Sequence, residues 1–485
     1  MGNEAIMSGR ADGLVIVAKR DCPTCTLIQP VYSQLADSGH DLTVISQDDP
    51  TFPDNIDGVV DDRELAQSWH LNIETVPTLL RFRGGKEVGR AVGWHRVDWE
   101  ALTGLPGLGP ELPAARPGCG SRSLEPGMAE ELAVRYGEVP MQARQIDVMM
   151  PEDPHEVCHE RGWSDGLPVV PPTPARVLRM LGGTRRQPDE VIGNVPPNLA
   201  PCTVEKVAIN AVMAGCKPEY LPVVLAVVEA ALEPAFCMHG LLCTTYFSGP
   251  LVIVNGPVAR RIGMNSGVNA LGQGNRANAT IGRALQLVIR NIGGGVPGGI
   301  DRATLGTPGK HTFCFAEDES DAEWQTLAVE RGFSTDASAV TLFAGDGVLG
   351  NFDQLSRTPD SLTRSLAMSM QAIGHPKKVQ AHDALLVLSP EHYRVYREAG
   401  WSKDRIKEEL AAALTRPGHD LVRGAHGVAE GMPEALAERM LTKFRPGGLN
   451  IVRAGGEAGL MSAIIGGWAA TGERGSELVS KEVGN

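Results

Sequence analysis

The chain has 485 residues, enough for roughly two to four domains of about 100–200 residues each. Its formal net charge of −13 makes nucleic acids and anionic membrane surfaces unfavourable partners, because both carry negative charge themselves. No stretch of about 18 uninterrupted apolar residues occurs, so no transmembrane helix is expected. Nine cysteines, an odd number spread along the chain, fit a reducing compartment better than a disulfide framework, and we expect a cytoplasmic protein.

The first region of the chain alternates short apolar strands with helical patterns. A buried strand at 14–18, a second strand at 42–46 and a Gly-Gly hairpin at 78–94 are each followed by a helical pattern or precede one. A helix at 97–102 ends the series. This order of elements predicts a small α/β domain over residues 1–105.

Two cysteines lie two residues apart after the first strand, in KRDCPTCTLIQP. A thiol at a helix N-terminus has a lowered pKa, because the helix dipole favours the thiolate. Cys22 is therefore expected to be the nucleophile, and Cys25, one turn further on, the resolving thiol. Half of a zinc site is the alternative, but neither a second CxxC nor an HxxxH pattern lies in this region.

Three further positions accompany this cysteine pair. Pro30 falls five residues after Cys25, Val76-Pro77 precedes the hairpin, and Gly93 lies sixteen residues beyond Pro77. With these residues, the stretch 12–105 resembles the thioredoxin superfamily.

The resemblance implies a redox-active Cys22–Cys25 disulfide, with a disulfide reductase as electron donor. It also implies that Pro77 is a cis-proline that shapes the substrate groove together with Val76. Two positions depart from the family: Asp21 replaces the usual aromatic residue, and Ile16 stands where a buried acid would accept a proton. We therefore expect a specialised thiol-disulfide exchanger rather than a general disulfide reductase.

Residues 106–149 are rich in Gly and Pro and predict a linker that contains a short helix. The linker carries Cys119 between two glycines, with Arg116 and Arg122 close enough in sequence to stabilise a thiolate. Two interpretations stay open. Cys119 is either a loop cysteine without a role or a third catalytic thiol that exchanges with Cys22 and Cys25.

A large region follows at 150–475, with a tail at 476–485. Its strand patterns are apolar on both faces and alternate with helical patterns, and they are listed here: 249–257, 338–345, 383–390 and 449–456. Such strands predict an α/β domain, of one or two subdomains, with a mostly parallel sheet covered on both faces. The predicted fold class is therefore α/β, with an N-terminal thioredoxin-like fold and a large α/β region.

Two stretches outside the first region, PGCGSRS at 117–123 and IVRAGGEAGLMSAIIGGW at 451–468, loosely resemble the family of UGSC-motif (seleno)proteins. Arg122 stands where the second cysteine of that motif would be. The resemblance implies thiol or selenol redox chemistry and names no substrate.

An Asn- and Gly-rich loop precedes a predicted helix in GMNSGVNALGQGNRANATIGRA, residues 263–284. Amides, backbone N–H groups and a guanidinium at the carboxyl end of a strand are a common anion-binding arrangement. The predicted substrate-binding residues of this loop are Asn269, Asn275, Arg276 and Asn278. A glycine-rich structural turn remains the alternative.

His311, on a predicted strand in GKHTFCFAEDE, is a further candidate for substrate binding, with simple packing as its alternative. The stretch HEVCH matches the H-E-x-x-H zinc pattern through His155 and His159. Pro151 and Pro154 leave room for only about two helical turns, and no third ligand follows on a helix. We therefore predict no metal and a short solvated helix.

Together these patterns predict a thiol-dependent oxidoreductase. Its CxxC would exchange electrons with a catalytic C-terminal α/β region that acts on a small, anionic substrate. One alternative is a hydrolase or lyase, zinc-dependent through HEVCH, with the thioredoxin-like part as a regulator. Another is a non-enzymatic thiol chaperone or partner-binding protein. A homo-oligomer stays open.

Overall fold

A computed structural model describes residues 12–139, 141–149, 151–421, 434–468 and 475–484. The chain divides into two compact units, Met1–Val139 and Pro140–Asn485. The first unit is thus longer than the predicted domain 1–105, because much of the predicted linker 106–149 is folded as part of it.

The first unit consists of short strands and helices. Its strands are β1 Asp12–Ala18, β2 Leu42–Ser46, β3 Val60–Asp61, β4 Thr75–Val76, β5 Thr78–Arg83, β6 Lys86–Val92, β7 Trp94–His95, β8 Ala115–Arg116 and β9 Cys119–Gly120. Its helices are α1 Pro23–Leu27, α2 Gln29–Asp37, α3 Ala66–His70, α4 Arg96–Thr103 and α5 Met128–Tyr136, with a 3-10 turn at Arg122–Leu124.

Five strands form the central sheet of the first unit, in the order β3-β2-β1-β5-β6. β1 pairs in parallel with β2 and antiparallel with β5, so the strand that leads to the cysteine pair is central. Ile16, Leu79 and Trp99 are fully buried in the core on which the helices pack. Pro30 lies at the start of α2, where the helical segment after the cysteines is interrupted at Ile28.

The predicted linker contains paired backbone rather than free chain. β8 pairs with β7 and β9 pairs with β4, both antiparallel. Leu108 is buried in the core, and the Arg96 guanidinium donates to the carbonyls of Leu108 and Gly109. A segment held through its main chain needs no periodic pattern of apolar side chains. The absence of such a pattern therefore predicted a linker, although the segment is folded.

The second unit contains more and longer elements. Its strands are β10 Val191–Val195, β11 Ala200–Thr203, β12 Gly249–Asn255, β13 Cys314–Ala316, β14 Ala339–Phe352, β15 His382–Leu388, β16 Thr415–Pro417, β17 Met440–Thr442, β18 Leu449–Arg453, β19 Met461–Trp468 and β20 Val479–Glu482. Its helices are α6 Pro154–Glu160, α7 Pro174–Leu181, α8 Val204–Ala214, α9 Leu221–Leu232, α10 Met238–Cys243, α11 Pro257–Arg261, α12 Arg276–Asn291, α13 Leu327–Glu330, α14 Pro359–Met370, α15 Pro390–Glu398 and α16 Lys403–Ala413.

The α/β class is confirmed, but the pairing in the large sheet differs from the mostly parallel arrangement predicted. The strand order is β13-β12-β14-β19-β15-β18, with β20 also paired to β14. Among the described strands, two of the neighbouring pairs are parallel and four are antiparallel. Apolar residues on both faces of a strand report that both faces are buried, and they carry no information about strand direction.

Both faces of this sheet are covered. On one face, Val252 and Leu342 pack with helices α8, α9 and α12, and Leu386 packs with α14, α15 and α16. On the other face, Leu251, Phe343 and Leu385 belong to a separate buried cluster. The two edge strands β13 and β18 approach each other at their ends. The N–H of Asp318, two residues after β13, donates to the carbonyl of Arg453, the last residue of β18, at 2.7 Å. The predicted tail 476–485 contains β20, which is a strand of this sheet.

No single helix among the described residues is long and apolar enough to cross a membrane. The pair Pro218–Leu232 and Pro234–Cys243 reaches that length and composition only when taken together, and it is bent by 69°.

Candidate redox site

The cysteine pair lies where the central strand β1 passes into helix α1. Cys22 is the N-cap of α1, and its sulfur accepts the backbone N–H of Cys25 at 3.4 Å. The Cys22 Sγ also lies 3.5 Å from the carbonyl oxygen of Val76, and the Val76–Pro77 peptide bond is cis. Cys22, Cys25 and Val76 are all fully buried. The structure therefore brings Val76 and Pro77, predicted to shape the groove, next to the predicted nucleophile.

Cys119 joins this pair from the predicted linker. β9 runs antiparallel to β4, so that Cys119 is directly opposite Val76. In this position the Cys119 thiol is close enough to Cys22 for each of the two groups to shift the pKa of the other. Three sulfurs, Cys22, Cys25 and Cys119, thus form one cluster in the first unit, and all are free thiols.

We refer to residues 113–124 as the strap. Three side chains of the first unit donate to its backbone carbonyls: Trp94 Nε1 to Pro113 at 2.7 Å, Thr24 Oγ1 to Pro117 at 2.7 Å and Lys19 Nζ to Gly120 at 3.0 Å. A buried amide, that of Gln47, donates to Ser121 Oγ at 2.7 Å and accepts the Arg122 N–H at 3.1 Å. These contacts lie on both sides of Cys119, so they hold the thiol against Cys22.

Glycine is required for the strap to lie this close. A Cβ on Gly118 would lie 2.4 Å from Thr75 Cγ2 and 2.6 Å from the Val76 carbonyl oxygen. Gly93 has φ +70°, and a Cβ there would lie 2.9 Å from the Gly118 nitrogen. Gly120, on the other side of Cys119, has open space around its Cα. The first glycine of PGCG is thus a packing requirement, and the second is not.

The three thiols differ in acidity because their surroundings differ. Hydrogen bonds from the Cys25 thiol, then from the Cys119 thiol and the N–H groups of α1, lower the pKa of Cys22 from 9.0 to about 5, although burial opposes them. Burial, then hydrogen bonding to Cys22, raises the pKa of Cys25 far above its usual range. Burial and the same partner raise the pKa of Cys119. At neutral pH the cluster therefore carries its thiolate on Cys22.

One side chain in this cluster was not predicted. The Tyr32 hydroxyl is fully buried beside Cys25 and has no oxygen or nitrogen partner among the described residues. Burial, then the two nearby sulfurs Cys25 and Cys22, raises the pKa of Tyr32 well above 10.0. The only sequence signal was the position of Tyr32 on the buried face of α2, seven residues after Cys25. The other position considered for a proton acceptor near the dithiol holds Ile16, which cannot accept a proton.

A surface depression of about 420 Å³ lies beside Cys22. Its walls include Asp21, Arg20 and Arg116, the last of these from the strap. The Arg20 guanidinium is paired with Asp49 and Asp54, whereas Arg116 is exposed. Of the two arginines predicted to flank Cys119, Arg116 thus faces this depression, and Arg122 donates to the Gln47 carbonyl instead.

In the second unit, the predicted Asn/Gly loop uses its amides on its own chain. The Asn275 side chain caps α12 by accepting the Asn278 N–H, and its own amide donates to the Gly263 carbonyl at 2.8 Å. Asn278 is buried and donates to the carbonyls of Asn265 and Ala270. Asn269 has φ +59° and donates to Gln273, and Arg276 Nε donates to Gly215. These contacts match the structural alternative for the loop.

The two remaining groups of predicted residues are both exposed. β13 begins only at Cys314, so His311 lies in the turn after a short 3-10 segment instead of on a strand. His155 and His159 are exposed on α6, a helix of seven residues. Within the described ranges no three His, Cys, Asp or Glu side chains are grouped in a way that could hold a metal ion.

A cavity of about 930 Å³ in the second unit was not predicted. It is mostly apolar, and its polar wall includes Glu205, Asn210 and Asn291, together with His155 and the buried Cys158. The side-chain amide of Asn291 donates to the side-chain oxygen Oδ1 of Asn210 at 2.8 Å. HEVCH contributes His155 and Cys158 to its wall, but the other walls come from separate helices and from residues 141–148, so no sequence pattern indicated a cavity.

Comparison with known proteins gives a partial match. A stretch of 79 residues is 30% identical to thioredoxin H2-1 of Oryza sativa subsp. japonica, which is 16% of this chain and 49% of that protein. The chain thus spans about half the length of this curated relative. No family model matches the chain. No solved structure matches it.

This chain contains a thioredoxin-like region. The match agrees with the CxxC at the start of a helix and with the cis Val76–Pro77 bond. The resemblance of the remaining chain to the UGSC-motif family has no support from these comparisons.

Proposed function

We propose that the protein is a thiol-dependent oxidoreductase in which the Cys22–Cys25 dithiol exchanges electrons with a catalytic second unit that acts on a small, anionic substrate. The observation that carries this proposal is the geometry of the thiols: Cys22 is the N-cap of α1, and Cys119 lies opposite Val76, next to the cis Val76–Pro77 bond. The lowered pKa of Cys22 agrees with it. A structural cysteine is usually an inert buried thiol, and a thiolate of low pKa is the attacking species in disulfide exchange.

In the exchange, the Cys22 thiolate attacks one sulfur of a disulfide and releases the other as a thiolate, which then takes the proton of Cys25. Cys25 stays protonated until this step, because its pKa is far above neutral. It then attacks Cys22 Sγ, releases the second thiol and leaves a Cys22–Cys25 disulfide. A separate disulfide reductase returns the two electrons. Val76 and Pro77 form the wall of the site opposite α1.

Cys119 is the in-chain exchange partner of Cys22 in this scheme. β9 places Cys119 opposite Val76, whose carbonyl oxygen lies 3.5 Å from Cys22 Sγ, so the two cysteines are neighbours in the folded first unit. A tethered thiol reacts at an effective concentration of about millimolar or more.

For the small substrate, the cavity of about 930 Å³ is a better candidate site than the Asn/Gly loop. Its volume lies within the range of about 300–1,000 Å³ that is typical of ligand sites. Its wall contains His155 and Cys158, whereas the amides of Asn275 and Asn278 donate to the loop itself. Nine free thiols support a reducing compartment, the cytoplasm, as the place of work.

The experiment is the trapping of disulfides in single Cys→Ser variants, read by mass spectrometry of non-reduced peptides. After mild oxidation, wild-type protein should hold Cys22–Cys25, and Cys25→Ser should hold Cys22–Cys119. Cys243→Ser, an exposed cysteine of the second unit, is the matched control and should behave as wild type. The absence of any disulfide at Cys22 in all variants would contradict the proposal.

A further inference from the structure

The strap covers the dithiol. Cys22 has 0% exposure and Cys25 has 0%, while Cys119 is partly exposed. A disulfide outside the protein therefore meets the Cys119 sulfur first, although the negative charge sits on Cys22.

The strap also occupies the main-chain edge beside the dithiol. The two residues of β4 that precede Pro77 are paired with Cys119 and Gly120. To bring its disulfide into contact with Cys22, a polypeptide would have to displace β9. It would also have to break the hydrogen bonds that Thr24, Lys19 and Gln47 make to the strap. A small molecule needs only to reach the partly exposed Cys119. The depression of about 420 Å³ is walled by Arg116 and by Cys22, the neighbour of Cys119, and not by Cys119 itself.

We propose that electrons leave the dithiol through Cys119, and that the strap restricts the oxidant to small disulfides that carry a carboxylate. This inference rests on the proposed function, since it assigns an exit and a substrate class to the same dithiol. The exposed Arg116 guanidinium, three residues before Cys119 and in the wall of the depression, is the group that would meet the carboxylate.

The reaction has three exchanges. First, the Cys22 thiolate accepts the proton of the neighbouring Cys119, and the Cys119 thiolate attacks a small disulfide RSSR. A Cys119–SR disulfide forms as RS⁻ leaves and takes that proton from Cys22. Second, the Cys22 thiolate attacks Cys119 Sγ, which forms Cys22–Cys119 and releases a second RS⁻. Third, Cys25 loses its proton to this RS⁻ and attacks Cys22 Sγ, which frees the Cys119 thiolate.

The balance is one disulfide reduced to two thiols and one dithiol oxidised to the Cys22–Cys25 disulfide. Two electrons pass, and the two protons come from the cysteines. At the end Cys119 carries the single negative charge of the cluster, because Cys22 and Cys25 are now bonded to each other. Cys119 is thus a catalytic residue that is regenerated in each cycle.

The first test uses oxidised glutathione, a small disulfide with carboxylates, and follows thiol release by reduced full-length protein. Wild type should react at least about tenfold faster than Cys119→Ser, since the remaining Cys22 thiolate is covered. Cys22→Ser should accumulate glutathione on Cys119, identified by peptide mass spectrometry. Cys119→Ser reacting at the wild-type rate, with glutathione trapped on Cys22 in Cys25→Ser/Cys119→Ser, would overturn the assigned exit.

The second test concerns the strap, and the two glycines beside Cys119 provide a matched pair. Gly118→Ala places a Cβ against Thr75 and Val76 and should lift the strap, whereas Gly120→Ala meets open space and should not. The probe is reduction of the interchain disulfides of insulin by reduced protein. Gly118→Ala should reduce insulin at least about tenfold faster than wild type and Gly120→Ala, because Cys22 becomes reachable.

Equal insulin reduction by wild type and Gly118→Ala would overturn the restriction to small disulfides. A folded-state check by circular dichroism accompanies each variant, and Thr24→Val, which removes only the hydrogen bond to Pro117, provides a milder way to loosen the strap. Failure of the proposed function is distinguishable, since in that case Cys22 forms no disulfide in any variant, even with Cys119 in place.

Discussion

The cysteine cluster of the first unit and the Asn/Gly loop of the second unit are two polar motifs that follow buried strands, and the fold treats them in opposite ways. In the cluster, hydrogen bonds from neighbouring groups converge on Cys22 Sγ and keep it ionised. In the loop, Asn275 and Asn278 donate to carbonyls of the same loop, and the Asn275 side chain also accepts the Asn278 N–H.

The difference lies in what each motif has left to offer. A hydrogen-bonded thiolate is still a nucleophile, because its bonds stabilise the charge without removing the electron pair that reacts. An asparagine whose amide already donates to a backbone carbonyl has little left for a ligand, and breaking that bond leaves a buried polar group unsatisfied. A polar motif therefore predicts chemistry only where the fold leaves its reactive atoms unused.

The largest expected effect is on the cluster side of this comparison. Cys22→Ser should lower the rate of disulfide exchange by about a hundredfold or more, because Cys119 and Cys25 have raised pKa values and Cys119 then has no neighbouring thiolate to accept its proton. The measurement is the rate of thiol release from a chromogenic disulfide. Cys243→Ser serves as its control, and a rate within twofold of wild type for Cys22→Ser would remove Cys22 from the mechanism.

On the loop side, Asn278→Ala should destabilise the second unit without changing exchange at the dithiol. Asn278 is buried, donates to two carbonyls and accepts the Asn265 N–H, so its loss should lower the free energy of unfolding by about 2–3 kcal/mol. Urea unfolding measures the change. Asn269→Gly is the control, because glycine accepts φ +59° and should alter stability by only about 0.5 kcal/mol.

If Asn278→Ala instead lost substrate turnover with unchanged stability, the loop would have the substrate-binding role predicted from sequence. The contrast between the loop and the cysteine cluster would then be wrong.

The pH dependence of Cys22 sharpens the cluster side. Its alkylation rate should rise with pH around about 5 and then level off. Cys25→Ala removes the largest cause of the low value, so the profile should move toward the ordinary 9.0 and the alkylation rate at pH 6 should fall by about tenfold. Cys119→Ala should shift the profile in the same direction by less. An unchanged profile in Cys25→Ala would show that another group sets the pKa.

The same pKa has a consequence for stability with a definite sign. Cys22 is a stronger acid in the folded protein than in the unfolded chain, so the folded state binds fewer protons between the two pKa values. Its contribution to the free energy of unfolding is therefore fully present above about pH 9 and is lost as the pH falls to about 5. Cys22→Ser should remove this part of the pH dependence in equilibrium unfolding.

The smallest effect concerns a single contact of the strap. Thr24→Val removes the 2.7 Å hydrogen bond to the Pro117 carbonyl and should reduce the free energy of opening of the strap by about 1 kcal/mol. Amide hydrogen exchange of residues 117–121 measures this opening. Thr26→Val is the control, because Thr26 Oγ1 donates to Arg20 and has no contact with the strap. Equal protection in both variants would mean that the hydrogen bond does not hold the strap.

Several features were readable from local pattern. The CxxC, Pro30, Val76-Pro77 and the Gly-Gly hairpin lie within one short stretch, and each acts through its immediate neighbours. The buried strands of the second unit were found for the same reason. Three predictions depended on distant partners and came out differently: the linker, the strand direction in the large sheet and the strand position of His311.

The sequence by itself determined a dithiol at the start of a helix, the α/β class and a net charge of −13. Only the tertiary structure decided that Cys119, ninety-four residues after Cys25, lies against Cys22, that Tyr32 is buried beside Cys25, and that the amides of the Asn/Gly loop are used internally. The physical reason is range. Helix capping and strand burial depend on residues a few positions apart. The pKa of a thiol, and whether an amide has an unused hydrogen-bond donor or acceptor, depend on the groups that the folded chain places within hydrogen-bond distance.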